Sequence, residues 1–128
     1  MGRADAKALG RSGEVAAARY LEGAGYTVVA RNFRTRGGEA DLLTTKAGLV
    51  HAVEVKTRAN RAFGTPAEAV THKKARRVLR AGRAYCRSKG ISLSKLRCDV
   101  VAVESDGEGR FTVRHYPNAF ADPPPRRR

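Results

Sequence analysis

The sequence contains no tryptophan, and aromatic side chains make up 6% of its 128 residues. A platform of rings on which single-stranded bases stack is therefore poorly supplied. Its two cysteines, Cys86 and Cys98, form no CxxC pair, and its three histidines are scattered. Neither a zinc site nor a disulfide framework is expected from them. Long apolar runs are also missing, so we expect no transmembrane helix, no secretory signal and a cytoplasmic protein with reduced thiols.

Acidic residues are scarce as well. The chain has 12 Asp and Glu against 26 Lys and Arg, which gives a formal net charge of +14. Such an excess favours a polyanionic partner, either a nucleic acid or an anionic membrane surface. Ten cations and no acid occupy residues 71–97. Because like charges without relief destabilise a free helix, this run favours phosphate binding over a merely solvated surface.

The length and the 41% of hydrophobic residues fit one domain with its own core. Apolar periodicity predicts a first helix over residues 3–24. The sequence Thr65-Pro66-Ala67-Glu68 is typical of a helix start, with Thr65 as the N-cap, and predicts a second helix over 66–89. We therefore expect an α/β fold in which a mixed sheet is flanked by helices.

The remaining elements are strands and a tail. A short turn at 46–48 joins two of the strands and predicts a hairpin. The predicted strands cover residues 26–32, 39–45, 49–57, 96–103 and 111–116. The domain would then span residues 1–116, followed by a disordered tail at 117–128 that is rich in Pro and Arg.

The hairpin is expected to bring acids together. Glu54 and Lys56 lie two residues apart on one strand and share a face, as do Glu39 and Asp41 on the other strand. If the turn closes, Asp41 comes near Glu54 across the ladder. Two adjacent carboxylates repel each other unless a cation lies between them, so the pair favours a divalent metal. A solvated strand face is the alternative.

Two more charged residues fall on apolar stripes of the predicted helices. Glu14 is in line with Ala17 and Leu21, so it lies at the edge of the core and needs a partner or a site. A glutamate that stabilises the first helical turn is the alternative. Lys74 lies on the stripe that contains Val78, and a snorkelling lysine is the alternative there.

The order and spacing of these motifs resemble the PD-(D/E)xK nuclease superfamily. They resemble more closely the YraN-like family of small uncharacterised bacterial proteins, over residues 7–116. The motifs that carry the resemblance are Gly13-Glu14, Gly38-Glu39-Ala40-Asp41-Leu42, Val53-Glu54-Val55-Lys56-Thr57-Arg58, Lys74 and Asp99-Val100-Val101.

The resemblance implies a restriction-endonuclease-like core and a role for each matched residue. Asp41, Glu54 and the backbone carbonyl of Val55 would bind Mg²⁺ or Mn²⁺, for which oxygen ligands are suitable. Glu14 would hold a second metal ion or a metal-bound water. Lys56 would orient the attacking water or stabilise the developing negative charge.

Further residues are candidates for the surroundings of this site. Glu39, two positions before the matched acid, is an additional candidate acid. Lys74 would contact phosphate or brace the site. The candidate nucleic-acid contacts are Arg58, Lys73, Lys74, Arg76, Arg77 and Arg80.

Three functions remain open at this point. The first is a metal-dependent endonuclease that hydrolyses DNA, with branched or junction DNA in repair or recombination suggested by analogy. The second is a nucleic-acid-binding protein that has the nuclease fold but no efficient catalysis. The third, an adaptor or membrane-surface binder, would use only the cations, and we expect no membrane partner. A homodimer would suit an enzyme that cuts two strands.

Overall fold

A computed structural model of the chain describes residues 3–59 and 70–120, with side chains from residue 7 onward in the first helix. The order of elements is the predicted one. These elements are α1 (Arg3–Gly23), β1 (Thr27–Thr35), β2 (Gly38–Lys46), β3 (Leu49–Arg58), α2 (His72–Lys89), β4 (Leu96–Ser105) and β5 (Phe111–Phe120), with a 3-10 turn at Leu93–Lys95. Over these described ranges, no helix has the length and apolar character needed to cross a membrane.

The five strands form one sheet in the order β1-β2-β3-β4-β5. All neighbouring strands are antiparallel except β3 and β4, which are parallel. A parallel pair needs a long crossover connection, and α2 lies in that connection. The structure confirms the predicted single α/β domain with a mixed sheet, and it fits a restriction-endonuclease-like fold.

The β2–β3 hairpin is closed by a two-residue turn. Ala47 and Gly48 both have positive φ, 51° and 79°, which is the backbone of a type I′ turn and matches the twist of the strands. Lys46 is paired with Leu49, and the register then places Leu42 opposite Val53. The turn therefore fixes which side chains meet across the ladder.

The two helices cover opposite faces of the sheet. On one face α1 buries Ala17 and Leu21 against Val53, as its apolar stripe predicted. On the other face α2 buries Val78 against Ala52. Because Ala52 and Val53 are neighbours on one strand, they point to opposite sides, and the sheet has a core on each side.

The second helix begins later than predicted. Thr71 has φ −71° and ψ 160°, and its hydroxyl accepts a hydrogen bond from the backbone N–H of Lys74. Because an extended N-cap residue cannot lie inside a helix, no single helix runs over 66–89. The predicted capping sequence at Thr65 lies outside the described residues. The helix ends at Gly90, whose left-handed φ of 67° is typical of a C-cap.

The last strand is longer than predicted. β5 continues through Phe120, so residues 117–120 belong to the sheet and not to the tail; residues 121–128 lie outside the described residues. An edge strand tolerates Pro117, which has no N–H to donate. Asn118 adopts φ 50°, and its N–H donates to Asp99 Oδ1 at 2.8 Å. This side-chain bond anchors the strand beyond the proline.

A buried polar cluster joins β3, β4 and β5. Asp99 is fully buried, and its Oδ2 atom lies 2.8 Å from both His51 Nδ1 and His115 Nε2. The ring of Tyr26 packs edge-on against both imidazoles. Burial acts to raise the pKa of Asp99, but the hydrogen bonds from His115, His51 and Asn118 outweigh it and hold that pKa below its ordinary value. Two sequence features point to this cluster: His51 stands among the apolar residues at the start of β3, and Asp99 belongs to a motif of the resemblance.

Replacing Asp99 with asparagine should lower the free energy of unfolding by about 3 kcal/mol, because an amide turns one acceptor position into a donor that faces other donors. Since the folded pKa of Asp99 is depressed, its contribution is complete above about pH 4 and is lost as the pH falls below that value. Urea unfolding at several pH values should therefore show the gap between wild type and D99N narrowing in acid. Asp106→Asn, in an exposed turn, is the matched control, and an equal effect of both changes would contradict the prediction.

Candidate metal and nucleic-acid site

Two carboxylates meet on the β2–β3 hairpin. Asp41 comes directly before the Leu42–Val53 pair, so the antiparallel register places it across from Glu54. The backbone N–H of Val55 donates to Asp41 Oδ2 at 2.7 Å, which fixes this carboxylate at the ladder. The side chain of Glu54 is buried, with 10% of its surface exposed. The predicted approach of the two acids is therefore present.

These acids line a pocket of about 340 Å³ whose walls are formed by residues of α1, β2, β3 and α2. The pocket contains all four side chains to which the resemblance assigns catalytic roles, together with Glu39 and two cations from α2. The charged lining residues are Glu14, Glu39, Asp41, Glu54, Lys56, Lys74 and Arg77. Residues far apart in the chain thus converge on the hairpin acids, as expected for a functional site.

The environment of Asp41 disfavours its charged form. Burial and the neighbouring charge of Glu54 raise the pKa of Asp41 to about 7, although the N–H of Val55 acts in the opposite direction. Glu14 adds a smaller effect of the same sign as Glu54. Close carboxylates that cannot all ionise are relieved when a cation lies between them. A positive charge in the pocket would therefore relieve the repulsion between these carboxylates.

The two pocket lysines are in different electrostatic states. Lys74 Nζ lies 3.3 Å from Glu54 Oε2, and the charge of Glu54 raises the pKa of Lys74. Burial and the nearby charge of Lys74 lower the pKa of Lys56. Lys74 therefore serves as the counter-ion of Glu54, and Lys56 is the lysine that gives up a proton more readily.

Glu39 lies at the rim of the pocket rather than beside the central pair. Its carboxylate receives a hydrogen bond from Arg77 Nη2 at 3.1 Å and lies 4.0 Å from Arg34 Nη2. Arg34 was not among the predicted residues, although it is the β1 residue paired with Glu39 in the ladder. The side chain of Glu39 is 36% exposed and pairs with two arginines, whereas Glu54 is buried beside Asp41, which favours Asp41 and Glu54 as metal ligands.

The donor set suits a hard divalent cation. In the part of the chain that the structure describes, no three His, Cys, Asp or Glu side chains are placed to hold one metal ion. Mg²⁺ needs no such group, since it keeps several waters and binds through one or two carboxylates. The adjacent Asp41 and Glu54, with the backbone carbonyl of Val55, fit that requirement. Glu14 would then act through water and not as a direct third ligand.

A cationic surface adjoins the acidic pocket. It is formed by Gly37, Lys73, Arg76, Arg77 and Arg80, and Arg77 lines both the surface and the pocket. Four of the predicted nucleic-acid contacts are thereby grouped on the first three turns of α2. Gly37, with φ 73°, leaves room for the guanidinium of Arg80, which would lie 2.7 Å from a Cβ at this position. Arg58 is the last residue of β3, two positions beyond Lys56.

Comparison with known proteins gives one consistent family. A family model described as "Uncharacterised protein family UPF0102" matches residues 13–103. A UPF0102 protein of Symbiobacterium thermophilum is 46% identical over 88% of this chain and 95% of its own length. Similar proteins from Rhodococcus jostii and Clavibacter michiganensis are 42% and 48% identical, over 88% and 74% of this chain and 96% and 80% of their own lengths. These descriptions name no reaction, so the chemistry of the pocket has to indicate one.

Replacing Asp41 with asparagine should stabilise the metal-free protein at pH 8 by an amount on the order of 2 kcal/mol. The folded pKa of Asp41 is about 7 against an ordinary 3.8, so ionisation costs stability as the pH rises between these values. The amide keeps an oxygen for the N–H of Val55 but carries no charge. Urea unfolding in chelator should show the two proteins converging towards pH 4. A wild type and a D41N variant that respond equally to pH would contradict the prediction.

Proposed function

We propose that this chain, which belongs to the uncharacterised protein family UPF0102, is a metal-dependent endonuclease that hydrolyses DNA phosphodiester bonds. The observation that carries the proposal is the contact between two surfaces of opposite character. A pocket with two adjacent carboxylates is continuous, through Arg77, with the cationic surface of α2. A polyanion bound on the cations would thus pass beside the carboxylates.

The metal-ligating residues in this proposal are Asp41 and Glu54, with the backbone carbonyl of Val55. Mg²⁺ or Mn²⁺, when bound, supplies positive charge that makes water a better nucleophile and stabilises the charge of the transition state. Asp41 and Glu54 are held in place before any ligand arrives, the first by the N–H of Val55 and the second by Lys74. Glu14 completes the acidic wall from α1 and orients water.

The two pocket lysines would act on the attacking water and on the substrate phosphate. The water oxygen forms a bond to phosphorus while the opposite phosphorus–oxygen bond breaks. One proton leaves the water, and the departing oxygen gains one. Lys56 Nζ would orient the water or stabilise the developing negative charge, and the lowered pKa of Lys56 favours exchange of a proton there. Lys74, which pairs with Glu54, would contact a substrate phosphate.

DNA is the favoured substrate because the residues of the cationic surface supply positive charge for phosphates but no aromatic ring on which single-stranded bases could stack. Arg and Lys on consecutive helical turns contact phosphates and position a duplex, but they read little sequence. Branched or junction DNA, processed in repair or recombination, is the form of substrate that we propose. A homodimer would present two pockets to two strands, which is the arrangement such a substrate requires.

A cleavage assay tests the activity directly. Purified protein should cut duplex, flapped or four-way-junction DNA in Mg²⁺ or Mn²⁺ and not in chelator. Glu54→Gln and Lys56→Ala should each lower the rate at least about 100-fold, since each removes charge that acts on the transition state. Glu22→Gln, an exposed acid in the last turns of α1, is the matched control and should retain the wild-type rate. Single-stranded DNA and RNA complete the panel.

Two results would overturn the nuclease proposal. Cleavage that survives in Glu54→Gln would indicate a contaminating nuclease. Tight, saturable DNA binding without cleavage of any substrate would favour the alternative, a nucleic-acid-binding protein that has this fold and no efficient catalysis. The intact set of Asp41, Glu54 and Lys56 argues against that alternative, because a protein that only binds DNA has no use for a repelling pair of acids.

The cationic surface should dominate the salt dependence of DNA binding. The triple variant K73A/R76A/R80A should reduce the magnitude of the slope of log affinity against log salt by about 2.7 for duplex DNA, three contacts at about 0.9 each. Fluorescence anisotropy with the D41N protein in chelator measures binding without cleavage.

The control for this experiment removes equal charge elsewhere. K95A/R110A/R114A changes three exposed cations away from the pocket and should leave the slope nearly unchanged. Equal slopes for the two triple variants would show that binding depends on net charge and not on this surface. Binding to anionic phospholipid vesicles, with weak binding to DNA, would favour the membrane-surface hypothesis instead.

A further inference from the structure

Helix α1 approaches strand β3 more closely at Gly13 than any other residue type would allow. A Cβ atom at Gly13 would lie 2.0 Å from Thr57 Oγ1, 2.7 Å from Thr57 Cγ2 and 2.9 Å from Thr57 Cβ. Gly13 is a buried residue in the middle of α1. Glycine there is unfavourable for helix formation, so its presence has a packing reason at this position.

The other two glycines of α1 show no such constraint. A Cβ at Gly10 or Gly23 would meet no atom within 4 Å. The close approach is therefore local to one helical turn and is not a property of the whole helix. That turn is the one that carries Glu14 into the pocket.

Thr57 cannot relieve the contact by rotating its side chain. It is β-branched, so two of the three positions around its Cβ hold heavy atoms in every rotamer. Its own Cβ would also remain at 2.9 Å, a distance that no side-chain rotation changes. A methyl group at Gly13 must therefore push the backbone of α1 away from β3.

The shift would act on Glu14, the next residue on α1. Glu14 lines the pocket and acts electrostatically on Asp41. The Asp41 carboxylate is fixed by the N–H of Val55, whereas no other described residue holds the Glu14 carboxylate by a hydrogen bond. The place of Glu14 thus depends on the place of its helix turn, and a displacement of about 1 Å is enough to impair a metal or catalytic site.

We propose that Gly13 and Thr57 are positioning residues that seat α1 on β3 so that Glu14 faces the Asp41–Glu54 pair and tightens the binding of a divalent cation there. The inference rests on the proposed function for the identity of the ligand. It adds that a contact between two uncharged residues, Gly13 and Thr57, determines the position of Glu14 in the pocket.

The test measures metal binding and does not depend on cleavage of DNA. Isothermal titration of the full chain with Mn²⁺, without DNA, compares wild type with Gly13→Ala and with Glu14→Gln. Each variant should weaken Mn²⁺ binding about 10-fold, the usual effect of losing a group that orients a ligand or its water. Gly23→Ala, a glycine-to-alanine change in the same helix with open space around it, should bind Mn²⁺ as the wild type does.

Two further variants separate positioning from simple destabilisation. If Gly13 acts through Glu14, the double variant G13A/E14Q should bind Mn²⁺ no more weakly than E14Q alone. Removing the Thr57 side chain makes room for the new methyl group, so G13A/T57G should recover to within about twofold of T57G alone. Circular dichroism at the titration temperature verifies that every variant is folded.

The outcomes distinguish this inference from the proposed function. Wild-type affinity in G13A, additive losses in G13A/E14Q, or no recovery in G13A/T57G would each overturn the positioning role. Wild-type affinity in E14Q would also overturn it. If Asp41→Asn and Glu54→Gln still abolish Mn²⁺ binding in that case, the proposed metal site stands. If every one of these variants binds Mn²⁺ as the wild type does, both the positioning role and the proposed metal site are rejected.

Discussion

The pocket depends on one unfavourable interaction, the juxtaposition of Asp41 and Glu54. The type I′ turn at Ala47-Gly48 sets the β2–β3 register, and the register places the two carboxylates side by side. A protein avoids such a pair unless something offsets the repulsion. Here the offset is partial. Val55 donates one N–H to Asp41, Lys74 pairs with Glu54, and the pKa of Asp41 still rises to about 7.

The two helices serve this pair with opposite signs of charge. α1 brings a further acid, Glu14, to the pocket. α2 brings Lys74 and Arg77 to the same place and carries other cations along its exposed side. An acid from one helix and basic residues from the other place a pocket with adjacent carboxylates beside a cationic surface. Phosphodiester hydrolysis assisted by a metal needs that combination.

Local signals in the sequence predicted much of this arrangement. The strand alternation, the hairpin turn and the helix stripe of Ala17 and Leu21 depend on residues close together in the chain. The approach of Asp41 to Glu54 then follows from the hairpin turn between them. The start of α2 was placed wrongly because two threonines compete as N-caps, and the sequence does not rank Thr65 against Thr71. The end of the sheet was placed wrongly because Asn118 is held by Asp99, through a contact between strands that no local pattern records.

A fully buried aspartate, Asp99, and a half-buried one, Asp41, show how the surroundings of a carboxylate decide between a structural and a chemical role. Asp99 receives three hydrogen bonds, from His51, His115 and Asn118, and its pKa is lowered. Asp41 receives one backbone N–H beside a second carboxylate, and its pKa is raised. The donors around Asp99 satisfy its charge, so that residue stabilises the sheet. The charge of Asp41 lacks such donors, and this deficit is what a divalent cation would remove. The same type of side chain thus stabilises the sheet at Asp99 and is the proposed metal ligand at Asp41, because the number of hydrogen-bond donors around it differs.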